Sequence, residues 1–147
     1  MATVERTMQV DRTTVWETLL EPETYPHWLV GAQDIRAVDA SWPAPGAAFH
    51  HRVGLAGPLT VADRSKVIEI DEPRRLVLDV RARPFGRAKA TFELAQDGDG
   101  RCTVRLHEKP VGPAAVLGPL TDPLLARRNR RSLEQLDEYV TRSRAHP

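Results

Sequence analysis

The chain has 147 residues, 41% of them hydrophobic and 28% charged, with a formal net charge of +1 at pH 7. That length supports one domain, residues 1–147, with a real core in which roughly 70% of the unfolded surface can be buried. The near-zero charge supplies no global field for nucleic acid or an anionic membrane, and a single cysteine, Cys102, excludes an intrachain disulfide.

No apolar run approaches the ~20 residues of a membrane span. The first residues are charged and are not expected to be a signal peptide. A cytoplasmic protein without stable membrane insertion is the expectation. Thr3–Val10 mixes β-branched and polar residues and predicts a strand, and Asp11 offers an N-cap side chain. Val15, Trp16, Leu19 and Leu20 make one helical face, ended by Glu21-Pro22. A second short helix is expected over Pro22–Trp28. After Gly31 the period changes to two, with strands expected over Ile35–Trp42, Ala47–Leu55, Leu59–Ile70, Leu76–Arg83, Arg87–Ala95 and Cys102–Glu108. Turns are expected at Gly57-Pro58, Asp71-Glu72-Pro73, Pro84-Phe85-Gly86 and Asp97-Gly98-Asp99-Gly100. Strands with one apolar and one polar face belong to an antiparallel sheet wetted on one side. Pro110–Pro119 is expected to be a connection with one helical turn at Ala114–Leu117. Asp122-Pro123 predicts the start of a helix running to about Arg142. Its apolar face would carry Leu125, Asn129, Leu133, Leu136 and Val140.

This order predicts an α+β helix-grip fold. A curved antiparallel sheet of about seven strands wraps a long C-terminal helix, with two short helices after the first strand. The resemblance to a known family rests on several places in the chain. These are Val15-Trp16 with Tyr25-Pro26-His27-Trp28, Gly31, Trp42-Pro43-Ala44-Pro45-Gly46, Asp71-Glu72-Pro73-Arg74-Arg75-Leu76, Gly98–Thr103, and Arg128-Asn129 with Leu133 and Leu136. In that order they resemble the SRPBCC superfamily of START-related, birch-pollen-allergen-like proteins, in its polyketide cyclase/dehydrase and lipid transport branch. The resemblance implies a deep, mostly apolar cavity for a small hydrophobic or amphipathic molecule such as a lipid, polyketide or aromatic compound. It does not imply catalysis.

Three inward polar residues stand out. His50 and His51 are adjacent on a strand and point to opposite faces, so they cannot share a metal; His51 should face inward. It is either a wall histidine or a hydrogen-bonding group in the cavity. Glu108 continues the apolar set Cys102, Val104 and Leu106. It is either buried and paired or, if the strand ends at Leu106, wet. Asn129 sits mid-face on the long helix and must be hydrogen-bonded, to the fold or to a ligand. The phase of Leu59–Ile70 is ambiguous, and a bulge would make Asp63 a fourth inward group. The expected lining is Trp28, Phe49, His51, Leu78, Val80, Phe92, Leu106, Glu108, Leu125 and Asn129, capped by Pro110–Pro119.

Sharper motifs are missing. His107-Glu108 lacks the second histidine of a zincin, because residue 111 is Val. Asp97–Glu108 has Arg101 and Cys102 where a calcium loop needs a ligand and a glycine. Neither a metal nor a cofactor is expected. Arg127–Arg131 reads as a solvated, mixed-charge helix face, with Glu138 and Arg142 in favourable i,i+4 order, rather than a nucleic-acid site. The expected partner is thus a small hydrophobic molecule, bound by a monomer or homodimer. The alternatives are a cyclase or dehydratase using Glu108 or His51 as base and Asn129 at the oxyanion, and a cochaperone-like protein-interaction module.

Overall fold

A computed structural model of the chain describes residues 2–56, 59–82 and 86–145, with side chains at 53–56, 59–62, 82, 114, 116–119, 121 and 144–145 outside the description. The order is β1 (Ala2–Met8), α1 (Arg12–Leu19), a 3-10 turn (Pro22–Thr24) running into α2 (Tyr25–Trp28), then β2 (Ala32–Val38), β3 (Ala48–Ala56), β4 (Leu59–Asp71), β5 (Arg75–Ala82), β6 (Gly86–Gln96) and β7 (Cys102–Val111). A 3-10 helix (Gly112–Leu117) leads into α3 (Gly118–Ala145). The strands form one antiparallel sheet in the order β1-β7-β6-β5-β4-β3-β2. The α+β helix-grip arrangement expected from the sequence is the one observed.

Alternation builds the inner face. On β7, Cys102, Val104, Leu106, Glu108 and Pro110 are buried and the residues between them are not. Leu76, Leu78, Ala90, Phe92 and Leu94 continue that face on β5 and β6. Leu133, Leu136 and Val140 of α3 close over it, each at most 1% exposed. Arg127, Arg130, Arg131, Glu134 and Glu138 are exposed on the opposite side of the helix.

Several boundaries differ from expectation. β2 begins and ends earlier, because the chain turns after Val38, where Asp39 N–H donates to Ala48 O and Trp42 N–H to Asp39 O. Trp42 then reaches back, its Nε1–H donating to Leu20 O at 2.8 Å. Asp11 occupies the N-cap position of α1 without a side-chain cap; its carboxylate accepts from Gln96 Nε2 instead. β7 continues past Pro110 because β1 reaches only as far as Glu108. Beyond it, among the described residues, β7 has β6 alone as neighbour, and a residue without an N–H is tolerated at such an edge. Asp122-Pro123 is not the start of α3, which begins at Gly118 and carries Pro123 inside it. Pro110–Pro119 is therefore strand, 3-10 helix and helix start rather than a loop. The expected turns at Gly57-Pro58 and Pro84-Phe85 lie outside the described residues, as do the side chains of 114 and 116–119 in the expected cap.

Candidate functional site

Between the sheet's inner face, α2 and the first half of α3 lies a cavity of about 70 Å³. Its apolar wall is Leu78, Val80, Ala90, Phe92 and Leu106 from β5, β6 and β7, with Tyr25 and Leu29 from the α2 side. Its polar lining is His51, Ser65, Arg81, Glu108, Arg128 and Asn129. Seven residues expected from the sequence to line a cavity thus meet at one space: His51, Leu78, Val80, Phe92, Leu106, Glu108 and Asn129. Trp28 and Phe49 do not line it. They are fully buried behind it in an aromatic cluster, with Tyr25 4.5 Å from Trp28 and 4.7 Å from Phe49 between ring centroids. Leu125 is half-buried one turn before Asn129 and is also absent from the lining.

Strand alternation splits the paired histidines. His51 is 2% exposed and inward. His50 is outward, 3.7 Å from Asp39. Burial lowers the His51 pKa to about 4, so its imidazole is neutral at pH 7. Nε2 lies 3.5 Å from Ser65 Oγ, while Nδ1 has no partner. The β4 phase resolves with Asp63, Ser65 and Val67 buried and a register shift following Val67. Asp63 is opposite His51 across β3 and β4, on the same face, but outside the cavity lining.

Glu108 is buried and paired. Arg128 Nη2 donates to both carboxylate oxygens, at 2.8 and 2.7 Å. The Arg128 side chain is 40% exposed and that of Glu108 9%, so the pair runs from solvent into the cavity. This corrects the placing of all the α3 arginines on the solvent side. At ~100° per residue Arg128 flanks the buried face, about 40° from Ser132, close enough to reach inward.

Asn129 is 1% exposed, and neither Nδ2 nor Oδ1 has a hydrogen-bond partner. Its neighbour Ser132 does have one: Oγ accepts from Val30 N–H at 3.1 Å, tying α3 to the α2–β2 connection. Among the described residues, five buried side-chain polar atoms lack a partner, and four belong to this cavity: His51 Nδ1, Arg128 Nε and both amide atoms of Asn129. Each such group costs about 1–3 kcal/mol if left unpaired. The Tyr25 hydroxyl, by contrast, donates to Leu19 O at 2.8 Å, and burial pushes its pKa well up. It is committed to the fold. Among the described residues no group of three His, Cys, Asp or Glu side chains could hold a metal.

A family model described as polyketide cyclase/dehydrase and lipid transport matches residues 1–141. No curated protein matches the sequence. Protein NE0264 from Nitrosomonas europaea is 22% identical over 98% of this chain and 96% of that one, with a TM-score of 0.73. MLL2253 from Mesorhizobium loti is 18% identical over 96% of each, TM-score 0.70. The di-domain ARO/CYC StfQ from the steffimycin biosynthetic pathway is 14% identical, with 99% of this chain aligned to 46% of that one, TM-score 0.74. At these identities the likeness is one of fold.

Proposed function

The chain belongs to the polyketide cyclase/dehydrase and lipid transport family, and from that premise we propose that it binds a small, mostly apolar molecule carrying a hydroxyl or carbonyl oxygen. The observation that carries this is the Asn129 amide, buried against the cavity with both polar atoms unpartnered. A hydroxyl can donate to Oδ1 and accept from Nδ2, and His51 Nδ1 offers a further contact. Glu108 and Arg128 offset each other's charge, and Arg81 also lines the cavity. Leu78, Val80, Phe92 and Leu106 take the apolar body, while Trp28 and Phe49 support the wall from behind. A few placed polar groups in an apolar pocket is the usual composition of a small-molecule site. The cavity volume is about half the ~150 Å³ that accepts a benzene ring, so a ring-sized ligand must widen it.

Calorimetric titration with phenol and 2-naphthol against benzene and naphthalene tests this. The hydroxylated compounds should bind at least ~10-fold more tightly, the worth of about one hydrogen bond to a buried group. Equal affinity, or no binding across the set, contradicts the proposal.

A cyclase or dehydratase is the second reading, favoured by the neutral His51 imidazole with Nδ1 unpartnered in the same cavity as an unpaired amide. Its base would be His51 rather than Glu108, since both Glu108 oxygens already accept from Arg128. His51→Gln would then abolish turnover of a poly-carbonyl substrate while leaving its affinity nearly intact; turnover that survives removes His51 from that role.

A further inference from the structure

The outer face of the sheet is charged in two different ways. At one end Asp71, Arg75, Glu93, Arg105 and Glu5 stand in register across β4, β5, β6, β7 and β1. There the signs alternate and the cations are held: Arg75 lies 3.1 Å from Glu69 and 3.7 Å from Glu93, and Arg105 2.7 Å from Glu5. At the other end Lys66, Asp79, Lys89 and Lys109 stand in register, beside a row of Arg64, Arg81 and Arg87. Asp79 is the one carboxylate among these seven residues, and it is already taken. Arg87 donates to both of its oxygens, at 3.2 and 2.7 Å, and Arg64 Nη2 lies 3.6 Å away. Lys66 and Lys89 flank Asp79 on the neighbouring strands, and Lys109 lies beyond Lys89. All three are exposed and make no ion pair among the described residues. Lys89 is directly opposite Lys109, and Arg81 is opposite both Arg64 and Arg87. Like charges so placed destabilise a sheet unless an anion joins them.

Lys66, Asp79, Arg87 and Lys89 line an open groove of about 480 Å³, with Val67, Ile68 and Val111 as its apolar part. The register shift after Val67 leaves Ile68 47% exposed there. No residue of this groove lines the cavity. We propose that the groove is a second ligand site, for a small molecule bearing a phosphomonoester. Its phosphate sits on Lys66, Arg87 and Lys89, and its apolar body on Ile68 and Val111. Three cations against one carboxylate leave a surplus of two in the lining, which matches a phosphomonoester of about −1.5 to −2 charge near neutral pH. The volume falls within the ~300–1,000 Å³ of small-molecule sites. A larger acidic partner fits less well. The surplus is confined to this end of the sheet, and an extended anionic surface would meet Glu69, Glu93 and Glu5 at the other.

Calorimetric titration of the full chain with phenyl phosphate, phenyl sulfate and inorganic phosphate, at about pH 7.5 and low salt, tests it. Phenyl phosphate should bind at least ~10-fold more tightly than phenyl sulfate, which has the same ring and less charge, and than inorganic phosphate, which has no apolar body. Lys66→Ser with Lys89→Ser should weaken phenyl phosphate binding at least ~10-fold. The same variant should melt at or above the wild-type temperature, because it removes two uncompensated cations. Asn129→Leu, in the cavity, should leave phenyl phosphate binding unchanged. Several results would overturn the proposal: no binding of phenyl phosphate, equal affinity for it and either comparator, wild-type affinity in the lysine variant, or loss of binding in Asn129→Leu. Tighter binding of polyglutamate or of phosphatidylserine vesicles than of phenyl phosphate would overturn it as well.

Discussion

Arg128 and Asn129 are consecutive on one helix and have opposite circumstances. Arg128 is half-exposed yet holds Glu108, with Nη2 between the two carboxylate oxygens and Nε without a partner. Asn129 is sealed from water yet has no partner. His51 completes the set as a neutral imidazole, and this has a consequence for pH. Its pKa of about 4 in the fold lies below the ordinary 6.5, so the unfolded chain binds the extra proton more readily. Stability from this residue is full above pH 6.5 and declines as pH falls toward 4, with about 2 kcal/mol lost at pH 5. Denaturant unfolding at pH 7 and pH 5 should show that loss in the wild type and a smaller one in His51→Gln; parallel losses would mean that His51 is not the group responsible. Strand alternation alone separates His51 from His50 and turns Glu108 inward, so both orientations are legible in the sequence. The partner of Glu108 was harder to see. An inward carboxylate needs a cation, and Arg128 is the α3 arginine at the flank of the apolar face. Within the run Arg127–Arg131, however, its neighbours mask it as one more solvated charge.

At the scale of elements, the strands follow from their own alternation, and their turns from Gly, Pro and Asp. The start of α3 does not. Asp122-Pro123 has the chemistry of a helix start, but the 3-10 helix Gly112–Leu117 feeds helical backbone in from upstream. A local cap signal loses to that continuity. Pro123 therefore sits where a helical N–H would otherwise bond, at a cost of about 3 kcal/mol or more in a helix interior. Pro123→Ala should raise the melting temperature by several degrees without altering ligand affinity. An unchanged or lower value would mean that the proline is matched to a local break in the helix. The early end of β2 is similar in kind: Trp42 carries the period of a strand residue, but its indole is drawn into the core by the Leu20 carbonyl, which no local pattern encodes.

For the whole molecule, the element order and scattered motifs suffice to read the helix-grip fold and the family, because a one-sided sheet and a long amphipathic helix have few ways to bury each other's apolar faces. The volume left between them is not legible. It depends on how Trp28, Tyr25 and Phe49 pack, and they fill most of what a deep cup would leave open, so about 70 Å³ remains. What survives is small and partly polar in its lining, and Asn129 decides what it is for. The most direct measurement is on Asn129→Leu, a change of similar volume, with thermal unfolding and 2-naphthol titration on the same preparation. If the amide serves a ligand, the variant melts within a few degrees of the wild type or above it, since removing an unpaired buried amide costs little, and its preference for 2-naphthol over naphthalene disappears. A variant that unfolds many degrees lower, or that keeps the preference intact, would contradict a ligand-binding role for Asn129.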